Sequence, residues 1–150
     1  MAWFKSSSSQ VPVLISSARD DYSGNHSMVV FLNPSRMVYD NFFVGACNSS
    51  ATGLNDGNWH HYAIVYLALS NTFQVYIDGD PSGSNSFNPS IPSIANDTVR
   101  IGNTLNTEYP AETGSTGWLG NIDDLGIYHG ALVESEVEDI MNNGFCFTRG

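Results

Sequence analysis

The chain has 150 residues, 41% of them hydrophobic, with a formal net charge of −10 and only 13% charged residues. That length and apolar content exclude wholesale disorder and suit one domain, able to bury about two-thirds of its unfolded surface. Five Lys and Arg against fifteen Asp and Glu create a field that repels a nucleic-acid backbone or an anionic membrane. No apolar run approaches the roughly 18 residues of a membrane-crossing helix, and Met1–Lys5 runs straight into Ser6–Ser9 with no signal-peptide pattern. Abundant Ser, Thr, Asn and Gly with few Glu and Lys lean towards strands and polar loops.

In chain order, Val11–Ile15 predicts a strand that ends at Ser16-Ser17 and the charged Arg19-Asp20-Asp21 stretch. Met28–Leu32 is a short apolar run stopped by Asn33-Pro34, and Met37–Cys47 is expected to form the next strand. Asn55-Asp56-Gly57-Asn58 is turn chemistry ahead of a long strand over Trp59–Leu67. Phe73–Ile77 alternates into Asp78-Gly79, a pair suited to the positive φ angles of a type I′ hairpin turn. Pro81–Asp97, rich in Ser, Asn and Pro, is expected to be a surface loop, followed by strands over Thr98–Gly102 and Leu119–His129. Glu134–Asn142 is the one predicted helix: Val137, Ile140 and Met141 make its apolar stripe, acids load its first turns, and Gly144 stops it. Seven or more strands with one late helix predict an all-β sandwich of two antiparallel sheets.

Four segments then line up with one family. Gly57-Asn58-Trp59-His60-His61-Tyr62-Ala63 resembles the G-x-W-H-H-V-A opening of a central strand in laminin-G-like and pentraxin-like domains. Phe73–Gly79 resembles the L-Y-V-D-G hairpin strand that follows, and Arg100-Ile101-Gly102 the I-G that begins the next. Gly117–Tyr128 is similar to the family's F-x-G-x-I-D-D/E-V-x-I-Y segment. The resemblance covers residues 57–144 and implies the concanavalin A-like jelly roll, with Trp3 and Trp59 as packing residues. Ala2-Trp3-Phe4-Lys5 resembles a strand that normally lies well inside the domain. The expectation is therefore a single domain over 1–150 that lacks one or more N-terminal strands, with Met1 internal to a longer chain. An unpaired sheet edge would then favour self-association. At the helix start the family's Ser is replaced by Val133, so a capping box with Glu136 loses its hydroxyl.

A glycosidase needs two carboxylates across one bond. Glu134, Glu136 and Glu138 have a strand-like spacing but fall in the predicted helix, where i and i+2 do not face each other. Asp123 and Asp124, neighbours in a predicted strand, would point to opposite faces, as would His60 and His61. Isolated His26 and His129 have no nucleophile beside them, so no enzyme is expected. Calcium is the cofactor to consider, since it takes six to eight oxygens from converging loops. The pentraxin-like E-Q-D triplet is replaced here by Thr104-Leu105-Asn106, which does not support the double-calcium site. Asp20, Asp21, Asp78, Asp80, Glu108 and Glu112 remain as loop acids, and Asp123 or Asp124 is the first expectation for one structural calcium ion. The alternative is that one of this pair hydrogen-bonds at the core edge while the other faces water.

Sugar recognition combines aromatic faces with amides and carboxylates. Tyr109, Asn106 and Glu108, within the Thr104–Thr116 loop, and Trp118 just after it are the expected ligand-binding set. Tyr22, Asn103 and Asn121 lie near predicted loops too, and Trp118 has the alternative of simply packing in the core. Cys47 and Cys146 are one disulfide or two thiols, and the sequence leaves both open. The triplets at Asn25, Asn48 and Asn96 are what this composition yields by chance. The expected function is a non-catalytic recognition module for glycan or protein ligands in an extracellular or cell-surface protein. The alternatives are a structural or assembly domain, or an accessory domain of a glycoside hydrolase.

Overall fold

A computed structural model describes residues 1–19, 26–33, 35–41, 44–88, 97–103 and 115–144. It is a sandwich of two sheets. The first runs in the order β11-β1-β6-β7-β8, where β1 is Ala2–Lys5, β6 Trp59–Leu67, β7 Thr72–Ile77, β8 Asp80–Ser86 and β11 Asn121–Asp123. The second runs β10-β2-β3-β4-β5, with β2 Val11–Arg19, β3 His26–Asn33, β4 Arg36–Asn41, β5 Gly45–Asn48 and β10 Ser115–Thr116. β9, Asp97–Ile101, lies antiparallel along the second half of β2, while β10 meets the first two residues of β2 in parallel. All other strand pairs are antiparallel. α1, Glu134–Asn143, is the one helix among the described residues, and it is too short to cross a membrane.

Side-chain alternation sorts the interior into three layers. Between the sheets lie Phe4, Leu14, Val30, Leu32, Met37, Tyr62, Phe73 and Val75. On the outer face of the first sheet, Ala63, Val65 and Tyr76 are buried together with Val137 of α1, so the narrow stripe of the helix does what its spacing predicts. The other face of the second sheet also buries apolar residues, Val11, Val13, Val29, Phe31 and Val38. α1 begins with half a capping box: the Val133 N–H donates to the Glu136 carboxylate at 2.8 Å, and Val133 has no side-chain oxygen to return.

Several expectations are corrected. Met37–Cys47 is not one strand but the β4–β5 hairpin. Residues 80–86 form a strand rather than a loop, because the free edge of β7 supplies the hydrogen-bond ladder that Ser, Gly and Asn can complete; Pro81 is tolerated on that edge. Leu119–His129 is a strand only at β11, since Asp124 takes a φ of 45° and the chain leaves the sheet. Trp59 is 43% exposed and not a core residue, whereas Trp3 is half-buried. The turn at Asp78-Gly79 is as expected, with φ values of 53° and 91°.

Candidate functional site

The expected ligand loop leaves the sandwich from a fixed stem. Gly102 N–H donates to Leu14 O (2.7 Å) and the buried Ser16 hydroxyl donates to Asn103 O (2.9 Å), which ties the outgoing strand to β2. On return, Trp118 N–H donates to Gly102 O at 2.7 Å, so both ends of the loop meet at Gly102. Tyr109, Asn106 and Glu108 lie outside the described residues. Trp118 is described: its indole stands edge-on to Phe4, with ring centroids 5.7 Å apart, and its Nε1–H donates to Asn121 O at 3.1 Å. It is half-buried, so it packs at the base of the loop and shows part of its ring at the surface.

Asp123 and Asp124 are both exposed, and Asp123 Oδ1 accepts the Asp124 N–H at 2.9 Å. Because β11 ends at Asp123, the expectation that alternation in one strand separates them does not apply. No group of three or more His, Cys, Asp or Glu able to hold a metal ion occurs among the described residues. By themselves the two carboxylates do not complete a six- to eight-oxygen calcium shell, and no role for the ion is derived at them. Asp20, Asp21, Glu108 and Glu112 lie outside the described residues.

An electrostatic cluster that the motifs did not reveal sits at the start of β6. His60 Nδ1 is 2.8 Å from Asp78 Oδ2 and its Nε2 is 3.2 Å from Asp56 Oδ1, while Asp78 Oδ1 accepts the His61 N–H at 2.7 Å. Asp56 also accepts the backbone and side-chain N–H groups of Asn58, both at 2.8 Å, and these hold its carboxyl below the usual range. Burial alone would lower the His60 pKa; the hydrogen bond and charge of Asp78, with those of Asp56, outweigh it and raise the value. This is a clip that binds the 55–58 turn, β6 and the β7–β8 turn, not a nucleophile–base pair. His61, one residue on, turns to the opposite face against Trp3, with ring centroids 5.3 Å apart. There burial lowers its pKa to about 4, and its Nδ1 has no hydrogen-bond partner among the described residues.

Glu134, Glu136 and Glu138 are exposed on α1, as the helix assignment requires. Cys47 is a free, buried thiol whose Sγ lies 3.6 Å from Phe73 O; burial pushes its pKa up, offset in part by the Asn85 backbone. Cys146 lies outside the described residues.

Two facing sheets, with the chain passing repeatedly between them, define a concanavalin A-like jelly roll. The chain belongs to the Laminin_G_3 family of the concanavalin A-like lectin/glucanases superfamily, whose model matches residues 1–138. Among solved structures, the native heptameric SAP-like pentraxin of Limulus polyphemus matches with a TM-score of 0.69 and 17% identity over 93% of this chain and 67% of the pentraxin chain. The Ruminococcus gnavus IT-sialidase CBM40 bound to α2,3-sialyllactose matches with a TM-score of 0.68 and 13% identity, over 93% of this chain and 79% of that one. A Clostridium thermocellum S-layer domain-containing protein matches at 0.50 with 20% identity, over 89% and 64%. At these identities the likeness is one of fold. No curated protein matches by sequence.

Proposed function

We propose that this domain is a non-catalytic recognition module that binds glycan through the end of the sandwich carrying the 104–116 loop, within an extracellular or cell-surface protein. The observation that carries the reading is the stem: Gly102, Asn103 and Trp118 fix both ends of a polar loop containing Tyr109, Asn106 and Glu108. A half-exposed indole at the base of such a loop is the combination of aromatic face and polar groups that sugars require. The CBM40 fold bound to sialyllactose is consistent with this use of the sandwich. The net charge of −10 favours neutral glycans over sialylated ones, because an anionic sugar meets a repulsive field.

A glycan array run with millimolar calcium and again with chelator tests the reading. Binding to neutral glycans in either buffer supports it; loss with chelator would place a calcium ion among the loop acids. Tyr109→Ala is expected to reduce binding at least tenfold with the melting temperature unchanged within a degree or two. Equal binding by that variant removes the loop from the site. Folded protein that binds no glycan in either buffer turns the reading to a structural or assembly domain.

A further inference from the structure

α1 covers the outer face of the first sheet where Val137 meets Ala63, Val65 and Tyr76. At the other end of that face, where β11, β1 and β6 lie side by side, strand register brings six side chains together. Asn121, Lys5 and Trp59 form one row across the three strands, and Asp123, Trp3 and His61 form the next. His61 is buried against the Trp3 ring, while the other five reach the surface: Trp59, Asn121 and Asp123 are exposed, and Trp3 and Lys5 are half-buried. The two indoles are diagonal neighbours across β1 and β6, a relation that sets Cβ atoms about 7–8 Å apart.

The patch is built on rigid elements, which holds its rings in place before a ligand arrives. The Ser6 hydroxyl donates to Leu119 O at 2.7 Å and the Gly57 N–H donates to Ser6 O at 3.0 Å, so the chain is tied together just beyond the Asn121–Lys5–Trp59 row. No Cβ would fit at Gly120 against the Lys5 carbonyl. His60 faces the other way, and its bonds to Asp78 and Asp56 pin the start of β6. Around the rings stand groups that hydrogen-bond hydroxyls: the Asn121 amide, the Lys5 ammonium and the Asp123 carboxylate. Lys5 and Asp123 cancel in charge, so the patch is neutral within a chain of net charge −10. Indole faces flanked by polar groups suit the CH faces and hydroxyls of sugars, and a neutral patch suits an uncharged one. An open strand face has no walls to enclose a single ring, so it fits a flat chain laid across it.

We propose that the outer face of β11, β1 and β6 is a second binding surface, for a flat, β-1,4-linked chain of neutral hexoses that stacks on Trp59 and Trp3 and is hydrogen-bonded by Asn121, Lys5 and Asp123. It does not rest on the 104–116 loop, none of whose residues takes part, and Trp118 lies on the inner side against Phe4.

The test titrates cellohexaose and mannohexaose into the chain by calorimetry and follows the indole N–H signals of the three tryptophans by nitrogen-15 NMR. At least one oligosaccharide is expected to bind, moving the Trp59 and Trp3 signals and leaving that of Trp118 in place. Trp59→Ala should weaken binding at least tenfold with the circular-dichroism spectrum retained, as truncating a central aromatic contact does. Asn121→Ala, at an exposed side chain, should weaken it about three- to tenfold, the range of one net hydrogen bond, and keeps the test decisive if Trp59→Ala fails to fold. Tyr109→Ala should leave this binding unchanged. Absence of binding by both oligosaccharides overturns the proposal. Binding that moves Trp118, is lost in Tyr109→Ala and survives Trp59→Ala overturns it too and assigns the sugar to the loop. A dimer in light scattering that Trp59→Ala dissociates overturns it as well and makes this face an interface between two copies.

Discussion

The two long edges of the sandwich are finished in opposite ways. At the β5–β8 edge the sheets close directly on each other. Ser50 N–H donates to Ser82 O, Ala51 N–H to the Ser82 hydroxyl at 3.0 Å, and Asn85 Nδ2 to Ala46 O at 2.7 Å. Behind that seam the Phe73 ring stacks with Tyr39, Tyr66 and Phe87 at centroid distances of 4.9, 4.7 and 4.5 Å. The opposite side, where residues 125–132 run beside β6, has a comparable apolar lining but no such seam among the described residues, and a cavity of about 910 Å³ opens there between the sheets. The difference lies in residue size. Gly83 and Gly45 let backbone and ring approach: a Cβ on Gly45 would sit 2.7 Å from the Phe87 ring, and one on Gly83 would collide with Asn48 O. At the other edge Leu69, Val99 and Ile127 are exposed at the mouth.

The largest effect is expected from breaking the seam. Gly83 has a φ of 142°, which side chains rarely adopt, and the space for a Cβ is occupied by backbone. Gly83→Ala should therefore cost about 3 kcal/mol or more by urea denaturation. Gly53→Ala is the matched control: its φ is 80° but nothing lies within 4 Å, so only the backbone conformation is penalised, by about 1 kcal/mol. Equal losses at the two positions would show that the seam contributes nothing beyond backbone strain.

The second prediction uses pH to load the two sides unequally. His61, packed on Trp3 at the β1–β6 junction, has a pKa lowered by burial to about 4. Above pH 6.5 it is neutral whether folded or not. As pH falls from 6.5 towards 4 the unfolded chain takes up the proton and the fold does not, so stability is lost. At about 1.4 kcal/mol per unit the full loss is roughly 3 kcal/mol. The clip responds with the opposite sign: the raised His60 pKa stabilises the fold fully below pH 6.5, and that contribution fades as pH rises through the folded value. Asp56, whose pKa is lowered, stays ionised at pH 5. Hydrogen exchange at pH 5 should thus show β1, which packs on His61 through Trp3, opening before β7 and β8. His61→Phe should remove most of the acid sensitivity, and an unchanged acid midpoint in that variant would assign the sensitivity elsewhere.

What was legible in the sequence follows the same division. β6, β7, the Asp78-Gly79 turn and α1 carry their own signals, alternation, positive-φ residues and a 3-4 stripe, and all four are where those signals place them. The divergence of His60 and His61 is legible too, because strand neighbours face opposite ways. Their opposite electrostatics are not, since they depend on Asp56, Asp78 and Trp3 arriving from other segments. β8 was hidden because Asp-Pro-Ser-Gly-Ser-Asn-Ser has no strand-forming side chains; it is a strand because β7 offers a free edge. The end of β11 was hidden because Leu125 and Ile127 continue the apolar alternation past Asp124, where the backbone turns away. The cavity has no sequence signal at all: it arises from where β1 stops relative to β6.

The smallest effect is at Tyr62, and its sign is informative. Most truncations in a core destabilise, but here the group removed is a buried hydroxyl with no partner, and the ring that remains keeps its packing. Tyr62→Phe should leave the protein unchanged or stabilise it by up to about 1 kcal/mol, because the desolvated O–H is no longer carried into the fold. Thermal denaturation of both proteins reads this difference directly. If Tyr62→Phe is clearly destabilising, the hydroxyl has a partner in solution that completes it in the core.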